Sequence, residues 1–148
     1  MRSIGLAIAV AGLGTGLLAA APARAAAPDW KAASAAYAKA RDGTARAKPV
    51  SDYALCAGEW AAWDDALYDG RVTDATLAAL DPDLRTASAD EKVNLWRLFL
   101  GDDRARSDLF DTHRQAARAQ IDRAVAGDKP ALLALMGALG GCQLPKDK

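Results

Sequence analysis

Apolar residues recur every three or four positions along most of the chain, and no stretch alternates in the strict two-residue rhythm of a half-buried strand. The pattern predicts a succession of helices. The first runs from Trp30 to about Arg41, with Asp29 as N-cap, Gly43 as stop, and Trp30, Ala33 and Tyr37 on one face. The second starts with Ser51 as N-cap and stops at Gly70. At 100° per residue, Cys56, Trp60, Trp63 and Leu67 form one apolar stripe, with Tyr53 at its edge and Asp65 opposite, which reads as an amphipathic helix. A short helix from Asp74 to Leu80 ends at Asp81-Pro82. Ser88 and Glu91 have the spacing of a capping box ahead of VNLWRLFL, residues 93–100, with Gly101 as terminator. That run is apolar enough to pass for a strand, but its two boundary signals favour helix. Asp103 to Ala126 reads as a long helix closed by Gly127, with Asp102–Arg106 and Arg118–Asp122 as helix-supporting pairs.

The last helix follows Asp128 and carries Pro130 in its first turn. Leu132, Leu135, Met136 and Leu139 form its stripe, and the glycines Gly137, Gly140 and Gly141 shorten and end it. No charged residue occurs from Pro130 to Pro145. That span is too short to cross a membrane comfortably, so the helix is expected to be central to the fold or covered by a partner through residues 131–144. In the second case the expected partner is another envelope protein or a second copy of the chain.

The N-terminus follows a different pattern. Arg2 precedes an apolar run from Ile4 to Ala21, Pro22 breaks it, and Ala23-Arg24-Ala25 fits a small-x-small cleavage site. Residues 1–25 therefore read as a Sec-type signal peptide cut after Ala25, and the destination as the bacterial periplasm or the exterior. A cut after Ala27 would leave Pro28 first, which disfavours it. Gly12, Gly14 and Gly16 superficially resemble a phosphate loop, but no strand precedes them. Losing Arg2 and Arg24 leaves 17 basic against 19 acidic residues, a net charge of −2 in 123 residues. That balance argues against nucleic-acid binding. Lys31, Lys39, Arg41, Arg46 and Lys48 make a mildly basic region best read as solvated surface.

Composition then limits the chemistry. There are two cysteines, Cys56 and Cys142, and one histidine, His113. No CxxC, CxxCH, GxSxG or Walker pattern occurs, and Asp81 and Asp83 lack the spacing of a calcium loop. In an exported chain an even cysteine count implies a disulfide, and Cys56–Cys142 is the one available. Asp64 and Asp65 are adjacent, so they diverge and make a poor acid–base pair. His113 and Gln120 fall within the apolar arc of Leu109, Phe110, Ala116, Ala117, Ile121 and Ala124. Two polar groups on a buried face need partners. They read as a hydrogen-bonded core pair, or alternatively as the lining of a pocket together with Trp60 and Trp63. No pattern requires a metal or cofactor, although His113 with Met136 would permit a haem.

The reading is therefore a single all-α domain over residues 26–148, an irregular bundle of about five or six helices stapled by one disulfide. Its expected role is non-enzymatic, binding or structural. The alternative is a small-molecule or cofactor-binding protein or enzyme using a site near His113 and Gln120. The export reading is tested by intact mass of the protein recovered from the periplasm, which should begin at Ala26. Full-length chain held in the inner membrane would overturn it.

Overall fold

The computed structural model describes residues 27–43, 50–101 and 104–144. The signal-peptide reading and the basic residues Arg46 and Lys48 fall outside them, as do Asp102 and Asp103. Among the described residues there are six α-helices and no strand: α1 Trp30–Gly43, α2 Val50–Tyr68, α3 Asp74–Ala79, α4 Thr86–Leu100, α5 Arg104–Val125 and α6 Lys129–Gly141. A short 3-10 turn, Pro82–Leu84, lies between α3 and α4. No helix among the described residues is long and apolar enough to cross a membrane.

Local chemistry sets most helix ends. Asp29 and Asp128 accept from the backbone N–H of Ala32 and Ala131, each at 3.0 Å, and so cap α1 and α6. Past the ends of α2 and α5, Gly70 and Gly127 adopt positive φ of 69° and 97°. Each lets the chain close with paired bonds back onto the last turn: Gly70 to Leu67 and Arg71 to Ala66, Gly127 to Ala124 and Asp128 to Arg123. Two expected caps do not form. α4 begins at Thr86 with Arg85 at its cap position, so Ser88 lies inside the first turn and cannot close a box with Glu91. α2 begins at Val50, which places Ser51 inside it too.

The most enclosed helix among the described residues is α2. It packs against α4, α5 and α6, and buries Ala54, Ala57, Ala61, Ala62 and Ala66 as well as Cys56, Trp60, Trp63 and Leu67. The amphipathic reading of α2 is thus corrected. Alanine counts weakly in an apolar pattern, yet it lets a neighbouring helix approach closely, and the alanines occupy the sides that the tryptophans leave open. At Gly58 the approach is closest. A Cβ there would lie 2.8 Å from the backbone N of Arg114 and from the Cβ of His113.

α6 packs chiefly on α1, and also on α5 and α2. It buries Ala131, Leu132, Leu135, Met136, Leu139 and Gly140. Its lack of charge is accounted for inside the chain, with small residues such as Ala134 left on the outer side. The glycines do not cut it short, since the helix runs through all three to Gly141. Gly140 instead serves the crossing with α1: a Cβ there would run into the carbonyl oxygen of Tyr37 and come within 2.8 Å of the Ala40 Cβ. On α5 the buried arc is Phe110, Ala117, Ile121 and Ala124, while Leu109 and Ala116 are exposed. The expected Arg118–Asp122 pair is also replaced. Arg118 reaches Asp65 on α2 at 2.9 Å, and Asp122 holds Arg71 at 2.9 Å, so both charges tie α5 to other segments.

The two glycines of α6 give opposite expectations for one substitution. Gly140→Ala should cost about 1–3 kcal/mol, because the added methyl overpacks a backbone crossing. Gly137 has nothing within 4 Å of an added Cβ. Gly137→Ala should therefore stabilise the fold by about 0.5–1 kcal/mol through helix propensity. Chemical denaturation of the two variants checks the difference in sign, and equal stability at Gly140→Ala would contradict the close crossing.

Candidate functional site

The densest polar cluster joins α1, the 3-10 turn and α4. One turn apart on α1, Tyr37 is buried and Arg41 half-buried. The sequence Asp81-Pro82-Asp83 makes a tight turn, in which the Asp81 carboxylate accepts from the backbone N–H of Asp83 at 3.1 Å. The turn holds both carboxylates toward α1. The Arg41 guanidinium donates to Asp81 Oδ2 at 3.1 Å and to Asp83 Oδ2 at 3.2 Å. The Tyr37 hydroxyl donates to Asp83 Oδ2 at 3.3 Å and accepts from the Lys92 ammonium, also at 3.3 Å. Lys92 lies 3.6 Å from Asp83 Oδ2, and its nitrogen sits 4.6 Å from the centre of the Trp60 ring. Arg41 therefore does not belong to a solvated basic surface, whereas Lys31 and Lys39 are exposed.

Two cations face two carboxylates here, and each polar group has a partner. Burial raises the Asp83 carboxyl, but Lys92 and Arg41 outweigh it and hold the group below its ordinary range. Burial lowers the Lys92 ammonium by more than Asp83 restores. Burial also pushes the Tyr37 phenol up, with Asp83 adding to the effect. The arrangement fastens α1 to the 3-10 turn and α4. A ligand entering it would have to displace an existing pair. The sequence signal was Asp81-Pro82-Asp83, which reads by itself only as a helix terminator and a failed calcium loop.

The cysteine staple adjoins this cluster. Cys56 and Cys142 are disulfide-bonded with their Cα atoms 5.2 Å apart, and both are buried. The Trp60 indole donates to the Cys142 carbonyl at 3.2 Å, and its ring meets that of Tyr37 edge-on at 6.2 Å. One buried turn thus carries the staple, the indole bond and the base of the Lys92 site.

Trp60, Trp63 and Gln120 each donate to a different backbone carbonyl. Trp63 donates to the Leu84 carbonyl at 2.8 Å and packs against Trp30, its ring centre 6.4 Å away. Gln120 donates to the Ala131 carbonyl at 3.1 Å, across the α5–α6 corner. His113 is half-buried, with its Cβ against the backbone of Gly58. A hollow of about 210 Å³ opens elsewhere, lined by residues including Pro28, Asp29, Ala124, Lys129 and Leu132. None of the four candidates lines it.

Two features had no sequence forecast. Glu59 is 8% exposed on α2, and its Oε2 has no hydrogen-bond partner among the described residues. At the other extreme, Leu98 is 77%, Phe99 40% and Leu109 49% exposed. They lie on the last turn of α4 and the early turns of α5, which touch where Arg97 covers the Phe110 ring at 5.2 Å. Phe99 also packs on Tyr53 and Trp96, its ring centre 5.8 and 6.0 Å from theirs, so this edge is continuous with the core.

No family model matches the chain, and no curated protein or solved structure shows significant similarity to it.

Opening the staple should weaken the fold strongly. The bridge spans 86 positions, and chain entropy for such a loop corresponds to about 4–5 kcal/mol. Reduction, or Cys142→Ser, should lower the melting temperature by on the order of 10 °C. Thiol counting on unfolded, non-reduced protein should find no free thiol. Two free thiols in protein from an oxidising compartment would refute the staple.

Proposed function

We propose that the protein is exported, with residues 1–25 as its signal peptide, and that it binds another envelope protein through the apolar corner formed by Leu98, Phe99 and Leu109. The observation that carries this reading is the exposure of three large apolar side chains on the last turn of α4 and the early turns of α5. Isolated apolar residues on a surface need no explanation, but several at one corner mark a contact surface more often than chance exposure. A disulfide joining distant helices suits an oxidising compartment, which supports the export half of the reading. Residues 131–144 are uncharged enough to suit a partner, but the apolar side of α6 is occupied by α1, α2 and α5. The contact is accordingly assigned to the α4–α5 corner.

Site-specific photo-crosslinking in the native compartment tests the assignment. A crosslinker at position 98 or 109 should yield a defined adduct, and one at the exposed Ala119 should not. Leu109→Lys should abolish the adduct formed from position 98. An adduct of twice the chain's mass would identify the partner as a second copy and overturn the envelope-protein assignment. Absence of an adduct at 98 and 109, or equal adducts at all three positions, would remove the surface from consideration.

A further inference from the structure

Among the described residues, Glu59 is a buried ionisable group with no counter-charge beside it. It sits at the middle of α2, one turn after Cys56 and one turn before Trp63. Gly58 faces α5, and a step of 100° from it turns Glu59 from the α5 side toward that of Cys56, which is bonded to Cys142 at the end of α6. Among the described residues, the arginines, lysine and tyrosine on neighbouring elements are committed elsewhere. From residue 130 to 144, α6 and the segment after it carry none. On α5, Arg114 and Arg118 both hold Asp65, at 2.7 and 2.9 Å, and His113 reaches the same level with its Cβ against Gly58. On α1, Arg41 and Tyr37 belong to the Asp81–Asp83 cluster, which also holds Lys92 of α4. Arg97 of α4 lies over Phe110.

We propose that Glu59 makes this fold proton-dependent: the interior is built around a neutral carboxylic acid, and ionising that acid loosens the packing of α2 against α5 and α6. A carboxylate stripped of water with no donor on Oε2 is strongly disfavoured, so the folded chain retains the proton. Burial alone raises the group to about 7, from an ordinary value of 4.5. The sign follows from linkage. Between those two values the folded chain binds a proton that the unfolded chain has released, so stability falls as pH rises through the window. Below it the contribution is fully present, and above it the loss is complete. Mild acid tightens the molecule, and neutral to alkaline medium relaxes it.

Denaturation midpoints of the wild-type protein and of Glu59→Gln, measured from pH 4 to pH 9, test the proposal. The wild-type midpoint should fall relative to that of Glu59→Gln between about pH 4.5 and pH 7 and then run parallel to it. Parallel profiles throughout would overturn it. The wild-type protein supplies an independent readout should the variant fold poorly. The carboxyl carbon resonance of Glu59, assigned in labelled folded protein, should titrate near pH 7, and a midpoint near 4.5 would equally overturn the proposal.

Discussion

The enclosure of α2 is the constraint on which the rest of the structure depends. A helix packed against three neighbours has little room for long side chains where its own backbone must come close to theirs. Alanine at 54, 57, 61, 62 and 66 and glycine at 58 meet that requirement on one set of sides. The tryptophans fill the remaining side, where the neighbours stand farther off. Each buried indole brings an N–H that needs an acceptor. Trp60 and Trp63 find theirs in carbonyls just outside regular helix, at Cys142 and Leu84, where a carbonyl is free of the intrahelical ladder. Trp96 finds none among the described residues and stays a local cost. The segments after α6 and before α4 are therefore positioned as much by the tryptophans as by their own sequence.

Two unlike fastenings act on the same seam. The disulfide joins α2 to the end of α6 and limits the unfolded chain. The Arg41–Asp81–Asp83–Lys92 cluster joins α1 to the 3-10 turn and α4, and acts only in the folded state. Half-buried charges gain modestly in such a cluster, because desolvation offsets much of the attraction. Its contribution lies more in fixing register. The Asp81-Pro82-Asp83 turn presents its carboxylates in one orientation, and α1 must place Arg41 and Tyr37 opposite them.

What could be read from the sequence was local chemistry and covalent arithmetic. Asp29, Asp128, Gly70 and Gly127 act within a few residues of themselves, so their capping roles need no tertiary information. With two cysteines there is one possible pair. The misreadings have other causes. Ser88 with Glu91 satisfies a local rule, but α4 already begins at Thr86, and the Arg118–Asp122 option competes with tertiary partners. Arg118 and Asp122 have partners on neighbouring segments and take them. Alanine is silent in an apolar pattern, which hid the enclosure of α2. The same silence hid Glu59, since a carboxylate flanked by alanines and tryptophans looks solvated until the neighbouring helices are in place. The cluster around Arg41 joins residues some 40 to 55 positions apart, a distance no periodicity reports.

The stretch VNLWRLFL shows where packing requirements and sequence part company. The fold uses Val93, Trp96 and Leu100, which point inward at helical spacing and are buried. A helix serving only this core could carry polar residues at the other positions, as it does at Asn94 and Arg97. Leu98 and Phe99 break that division. Leu98 is largely in water, and Phe99 is partly exposed beside Tyr53. Exposed apolar area invites non-specific association, and packing alone gives no reason to place it there. The uncharged α6 makes the contrast plain: its apolar side chains are consumed by α1, α2 and α5, while those of α4 exceed what its neighbours cover. An apolar surplus that the fold does not absorb is a feature for which contact with another surface supplies a physical reason.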